Sequence, residues 1–459
     1  NYNVAVGYEA GKQTTTGIRN TLLGGLAGDA LTDADDNVAI GQQSLSSDTL
    51  GSGAVAVGHN ALFSQNFTTA TTNYNVAIGY KTGEAVTTGQ NNTLIGGLAG
   101  DALTTGDQNV AVGTGALSTD DVGKFSTAIG YAALNAQNFA TATESFNTAV
   151  GHNAGLSVTT GVKNVLVGSR SGDALTAGGQ NVSIGHQALS TDTLGSRSVA
   201  IGQNALEVQN FTTATETYNV AVGYDAGTKV TTGLNNTLIG GLAGDALTDA
   251  DLNVAVGDNA LSADTLGSRS TAIGRSALSS QNFTTATNSL NTAVGFNAGT
   301  SVTTGTNNTL IGADTGDALT DGIKNVAVGQ NALGADTQGD NSVAIGVNAL
   351  YSQNGVNGNV YNVGVGANAG FSVTTGLKNV LMGGLTGDAL TDADENVAIG
   401  HAALSTDTLG SRSVAIGREA LTTQNFTTAT TTYNVAVGAN AGQAVTTGVG
   451  NTLLGGLAG

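Results

Sequence analysis

The chain has 459 residues, of which 69 are glycine and none is proline, cysteine or tryptophan. Its formal net charge is −19 with only 10% charged residues, so it lacks the basic footprint that nucleic acid or an anionic membrane surface demands. Without cysteine, disulfides and thiol chemistry are excluded.

A five-residue motif opens the chain at Asn3-Val4-Ala5-Val6-Gly7 and recurs 26 times, with its glycine at Gly7, Gly24, Gly41, Gly58, then 79, 96, 113 and 130, and so on to Gly455. The steps run 17, 17, 17 and 21, with one long step of 20 between Gly346 and Gly366. A coil of 17 residues is thus nested in a module of 72, with modules starting near 3, 75, 147, 219, 291, 362 and 434. Fixed short periods imply a solenoid, in which each coil buries its apolar face only against its neighbours. The expected fold is all-β, a parallel β-solenoid or β-roll running through 1–459 as one array. Proline would remove a ladder hydrogen bond from a central strand, and its absence fits an uninterrupted parallel sheet.

In the first coil, the residues three and one before the glycine, Val4 and Val6, are β-formers and are expected to point into the coil. The residue between them, Ala5, points the other way and is also apolar; it is Ala in most coils and Leu in the second coil of each module. A second apolar face suggests an oligomer interface, built from Ala5, Leu22, Ala39, Ala56, Leu94, Ala200, Leu238, Leu310 and Ala415. Gly7, Gly24, Gly41, Gly58 and Gly202 are expected to adopt positive φ or to admit a neighbouring backbone. Four residues after the motif glycine stands Gly in the first two coils and Leu in the last two. The Asn that opens the motif in the first three coils can stack into an amide ladder.

Before the third glycine lie Asp33, Asp35 and Asp36, echoed by Asp249 and Asp251 and by Asp392 and Asp394. These carboxylates are the calcium candidates, although other modules carry weaker versions and a solvated turn needs no ion. Asp48 and its copies Asp120, Asp192, Asp264, Asp336 and Asp407 are expected to form exposed ion pairs with Arg197, Arg269 and Arg412.

The fourth coil is four residues longer and carries Gln65-Asn66-Phe67, with copies at Gln209-Asn210-Phe211, Gln281-Asn282-Phe283 and Gln424-Asn425-Phe426. Each insertion is expected to bulge from the solenoid as a surface-display loop; the alternative is that the phenylalanine only plugs the coil. Followed by threonine, these asparagines also fit a glycosylation acceptor. Strands about 4.8 Å apart would place successive bulges about 19 Å apart and stretch 26 coils over about 125 Å. Weak contacts at such spacing sum by avidity.

The four histidines, His59, His152, His186 and His401, all directly follow a motif glycine, a slot that elsewhere holds types as different as Tyr, Gly, Gln, Thr, Ala, Asp and Arg. So permissive a slot is no metal site and supports no Ser/His/Asp arrangement. Gly96-Gly97-Leu98-Ala99-Gly100-Asp101 lacks the helix and lysine of a phosphate loop. The expectation is no enzyme and no required cofactor, with calcium the one candidate.

Coils such as Asn37-Val38-Ala39-Ile40-Gly41 and Ser198-Val199-Ala200-Ile201-Gly202-Gln203-Asn204-Ala205-Leu206 resemble the head repeats of YadA-like trimeric autotransporter adhesins, and equally the 17-residue repeats of phage tail-fibre-like proteins. The resemblance covers the whole chain and implies a left-handed β-roll, three chains side by side, with the motif strand facing the trimer centre. Adhesin heads use shorter coils and lack this module of 72. The function expected is a structural and adhesive extracellular fibre, on a cell surface or as a virion appendage, with a homotrimeric partner set and a cell-surface or glycan receptor. A bacteriophage tail fibre is the alternative. An ice-binding solenoid needs ranks of threonine, and Thr14-Thr15-Thr16, Thr87-Thr88, Thr159-Thr160 and Thr231-Thr232 recur once per module. Membrane insertion is not expected, and the chain reads as an excerpt whose targeting, anchoring and capping parts lie outside it.

Overall fold

A computed structural model describes residues 2–355 and 357–459. The chain divides into two compact units, Asn1–Thr232 and Gly233–Gly459. Each is a parallel β-solenoid of 13 coils with no helix among the described residues. The three-residue motif strands run from Val4–Val6 to Val220–Val222 in the first unit and from Thr237–Ile239 to Thr452–Leu454 in the second. Within each unit, strands pair in strict register, as in Val38↔Val55, Ala39↔Ala56 and Ile40↔Val57, so equivalent positions stack into columns. The insertion of the fourth coil returns as a second short ladder, Gly51–Ser52 pairing with Thr71–Thr72, and the same pair recurs at Gly195–Ser196 with Thr215–Glu216.

The side chains of the motif strand are arranged opposite to the expectation. Between the two end coils the central residue faces the interior: Leu22, Ala39, Ala56, Leu94, Ala200, Leu238, Leu310 and Ala415 are all buried, while Ala5 in the first coil is exposed. The β-branched residues on either side of it point outward and stay half-exposed. The cause is the size of the coil. A strand of three residues between two tight corners sends only its middle side chain inward, and the interior has room for small residues and single leucines.

The alternation of Gly and Leu four residues past the motif glycine follows from the same restriction. A Cβ on Gly11 would stand 2.6 Å from Leu22 Cδ1, and one on Gly28 would stand 2.8 Å from Leu22 Cδ2. Leu22 fills the space that these two glycines leave. Where the central residue is Ala39 or Ala56, Leu45 and Leu62 fill the interior instead.

At the motif glycine both expected reasons hold. Gly202 has φ of +134°, and a Cβ there would meet the Gly223 carbonyl oxygen at 2.2 Å. The opening asparagines form the ladder, mainly with backbone rather than with one another. Asn20 accepts a hydrogen bond from the Asn37 N–H at 3.0 Å through Oδ1 and donates through Nδ2 to the Ala34 carbonyl at 2.7 Å. These buried amides satisfy polar groups of the corner that would otherwise go unpaired.

Candidate functional site

Gln65, Gln209, Gln281 and Gln424 are fully buried, and Phe67, Phe211, Phe283 and Phe426 nearly so. The phenylalanines therefore plug the coil, the stated alternative to display, and the glutamines, named with them as display residues, are buried too. Only Asn66, Asn210, Asn282 and Asn425, with the threonines after them, remain exposed. The side-chain oxygens of these asparagines accept hydrogen bonds from threonine hydroxyls one coil earlier, as from Thr49 to Asn66 at 3.0 Å.

Beneath each plug lies a buried polar cluster. Gln65 Nε2 donates to Asp48 Oδ2 at 2.7 Å and Gln65 Oε1 accepts from Asn75 Nδ2 at 2.9 Å. The other oxygen of Asp48 accepts the Gly51 and Phe67 N–H groups, both at 3.0 Å. The same set joins Asp192, Gln209 and Asn219. All six copies of Asp48 are buried, which corrects the expected exposed pairing with arginine. Asp48 and Gln65 share the interior column seven residues past the motif glycine, a position that is Leu31 one coil earlier. A polar residue in an otherwise apolar column was the sequence signal for this cluster.

Burial pushes the carboxyls of Asp48, Asp120, Asp192, Asp264 and Asp336 above the ordinary value of 3.8, and their hydrogen bonds only partly oppose it. Partial burial does the same at Asp29, Asp101, Asp173, Asp317 and Asp388. A carboxyl raised in the folded state contributes most to stability below its unfolded value, and that contribution is lost as pH rises through the folded value. The melting temperature is therefore expected to be higher at about pH 4.5 than at about pH 8. A thermal melt series that falls steadily on acidification would contradict this.

The calcium candidates do not converge. Asp35 Oδ1 accepts the Ile18 N–H at 2.8 Å, while Asp36 pairs with Arg19 and Asp33 accepts the Thr16 hydroxyl. Asp251 accepts the Leu234 N–H and Asp394 the Leu377 N–H, both at 2.8 Å, and Asp392 accepts the Thr375 hydroxyl at 2.6 Å. Asp249 is also engaged. These carboxylates tie one coil to the one before it, and no three His, Cys, Asp or Glu side chains group as ligands among the described residues. Two of the histidines stack on tyrosine, His59 on Tyr80 with centroids 5.4 Å apart and His152 on Tyr131 at 5.3 Å.

Threonine does form a column, which the spacing of its pairs concealed. The residue eight past the motif glycine is Thr15, Thr32 and Thr49, then Asn66, and the pattern returns at Thr159, Thr176, Thr193 and Asn210. The hydroxyls are engaged along the column: Thr32 donates to the Thr49 carbonyl at 3.0 Å and Thr176 to the Thr193 carbonyl at 3.0 Å. These hydroxyls donate within the solenoid, from one coil to the next.

The outward side of the motif strand is an apolar surface repeated from coil to coil. Among interior coils Ile78, Ile95, Ile129, Ile184, Ile239 and Met382 are 36–41% exposed. The flanking corners add exposed aromatic residues, Tyr74, Phe146, Tyr218 and Tyr433 before the strand and Tyr80, Tyr224 and Phe296 after it. Nothing on this face is charged at the positions three and one before the glycine, which are Val, Thr, Ile, Leu or Met in all 26 coils. No helix among the described residues is long and apolar enough to cross a membrane. A scan of protein-family models finds no match to the chain, and neither does a search of curated proteins.

Proposed function

We propose that this chain is part of a structural and adhesive extracellular fibre, in which solenoids associate side by side as a homotrimer and display repeated binding surfaces. The observation that carries the reading is the uncharged Val/Ile/Thr rank, repeated in every coil and left half-exposed by a single chain. Apolar area of this extent gains about 25 cal/mol per Å² when removed from water, and a contiguous patch of it marks an interaction surface. A second copy of the same chain is the natural occupant, because only a partner with the same coil spacing can match the rank coil by coil. The resemblance to adhesin heads supplies the number three and the left-handed roll. The same assembly serves a cell-surface adhesin or a phage tail fibre.

The interface assigned here differs from the one first expected. It consists of residues such as Val199 and Ile201 and not of Ala200, which is inside the coil. The experiment is the solution mass of the intact chain by light scattering. A mass near three times 45.0 kDa supports the reading, and a monomer at all accessible concentrations overturns it.

A further inference from the structure

In the third and sixth modules the fourth-coil corner carries an arginine clasped by a tyrosine. Arg197 donates from Nε to Gln180 Oε1 at 2.9 Å and from Nη1 to the Tyr218 hydroxyl, and Nη1 also lies 2.9 Å from Glu216 Oε2. The Tyr218 hydroxyl donates onward to Glu216 at 2.7 Å. The guanidinium sits 5.5 Å from the Tyr218 ring centroid. Arg412 repeats the arrangement, donating to Glu395 Oε2 and to the Tyr433 hydroxyl, each at 3.0 Å, with the ring at 5.9 Å. Tyr218 and Tyr433 are nevertheless 47% and 60% exposed.

Beside each clasp is an open groove that includes residues of the four-residue insertion. The first, of about 370 Å³, is lined by Thr160, Gln180, Ser196, Arg197, Thr215 and Glu216 among others. The second, of about 300 Å³, is lined by Asp392, Glu395, Ser411, Arg412 and Thr430 among others. Arg197 matches Arg412, Ser196 matches Ser411 and Thr215 matches Thr430 at equivalent places in modules of the two units. The remaining fourth coils carry Gly53, Phe125, Arg269 or Asn341 at this corner, and the tyrosine partner of Arg269 is replaced by Leu290.

We propose that each groove is a subsite for a neutral saccharide. Sugar hydroxyls donate and accept together, and the groove presents carboxylate acceptors, a planar guanidinium donor and hydroxyls that do both. Val162, Ala177 and Ala214 in the first groove and Ala429 in the second add apolar carbon to the lining, which suits the C–H face of a pyranose. An anionic ligand is disfavoured, because the arginine is already paired with carboxylate or amide oxygens and the chain carries a net charge of −19. A wholly apolar ligand would strand the hydroxyl, amide and carboxylate groups of this mixed lining. Shallow open sites bind weakly one at a time, and display on an oligomeric fibre multiplies them.

This inference takes its purpose from the adhesive reading, but each groove is complete within one chain and includes no residue of the Val/Ile rank. The test is retention of the intact chain on an array of neutral, sialylated and sulfated oligosaccharides, with an Arg197→Ala/Arg412→Ala double variant beside it. Both arginines are exposed, so the variant should keep the melting curve of the parent. Retention on neutral oligosaccharides that falls at least tenfold in the variant is the expected result. No retention on neutral sugars, equal retention by the variant, or retention on the anionic sugars alone would each overturn the proposal. Light scattering on the same samples separates the two readings. A monomer that retains sugar overturns the trimer alone, and an oligomer that retains none overturns this site alone.

Discussion

Gly202→Val is expected to open the solenoid at that coil and to destabilise it by more than about 4 kcal/mol, in the range reserved for severe core disruption. Two penalties act together. The backbone at Gly202 has φ of +134°, a region closed to a β-branched residue, and the new Cβ would stand 2.2 Å from the Gly223 carbonyl oxygen and 2.6 Å from its carbon. That neighbour is backbone in the next coil, so no rotamer change relieves the contact. Because each coil touches only its neighbours, the damage should be local, splitting one melting transition into two or creating a protease-sensitive point near residue 202. An unchanged, single transition would contradict this account of the motif glycine.

The second large effect comes from a neighbouring pair of substitutions. Ala200 is wholly enclosed, whereas Ile201 points outward on the Val/Ile face. Ala200→Glu should therefore disrupt the coil itself, since a glutamate there has neither room nor a partner for its charge. Ile201→Glu should leave the coil and its circular dichroism intact while weakening association between chains. Had the first-expected orientation been right, the two outcomes would be exchanged. Equal damage to the fold from both variants would leave no support for a free outward face.

The periodicity, the parallel architecture and the two reasons for the motif glycine were all legible in the sequence, because the repeat averages each position over 26 coils. The facing of the strand was not. Alternation states that Ala39 lies opposite Val38 and Ile40, but not which side is the interior. Bulk argued for the valine and isoleucine, and the narrowness of a coil with room for Leu22 only beside Gly11 and Gly28 decided otherwise. Asp48 looked like a surface charge because aspartate is rarely buried. Its neighbours in the column, Leu31 below and Gln65 above, become visible as neighbours only once the coils are stacked. The Arg197–Tyr218 and Arg412–Tyr433 clasps were hidden for the same reason, since their partners stand 21 residues apart along the chain and meet across one coil.

The central claim is that the Val/Ile rank is covered by further copies of this chain, and the most direct test is the absolute mass of the unmodified protein in solution by light scattering across a range of concentrations. The account predicts a concentration-independent mass near three times 45.0 kDa, about 135 kDa, which Ile201→Glu should lower. A stable mass of 45.0 kDa at every concentration would contradict it, leaving the apolar face of each coil open to solvent.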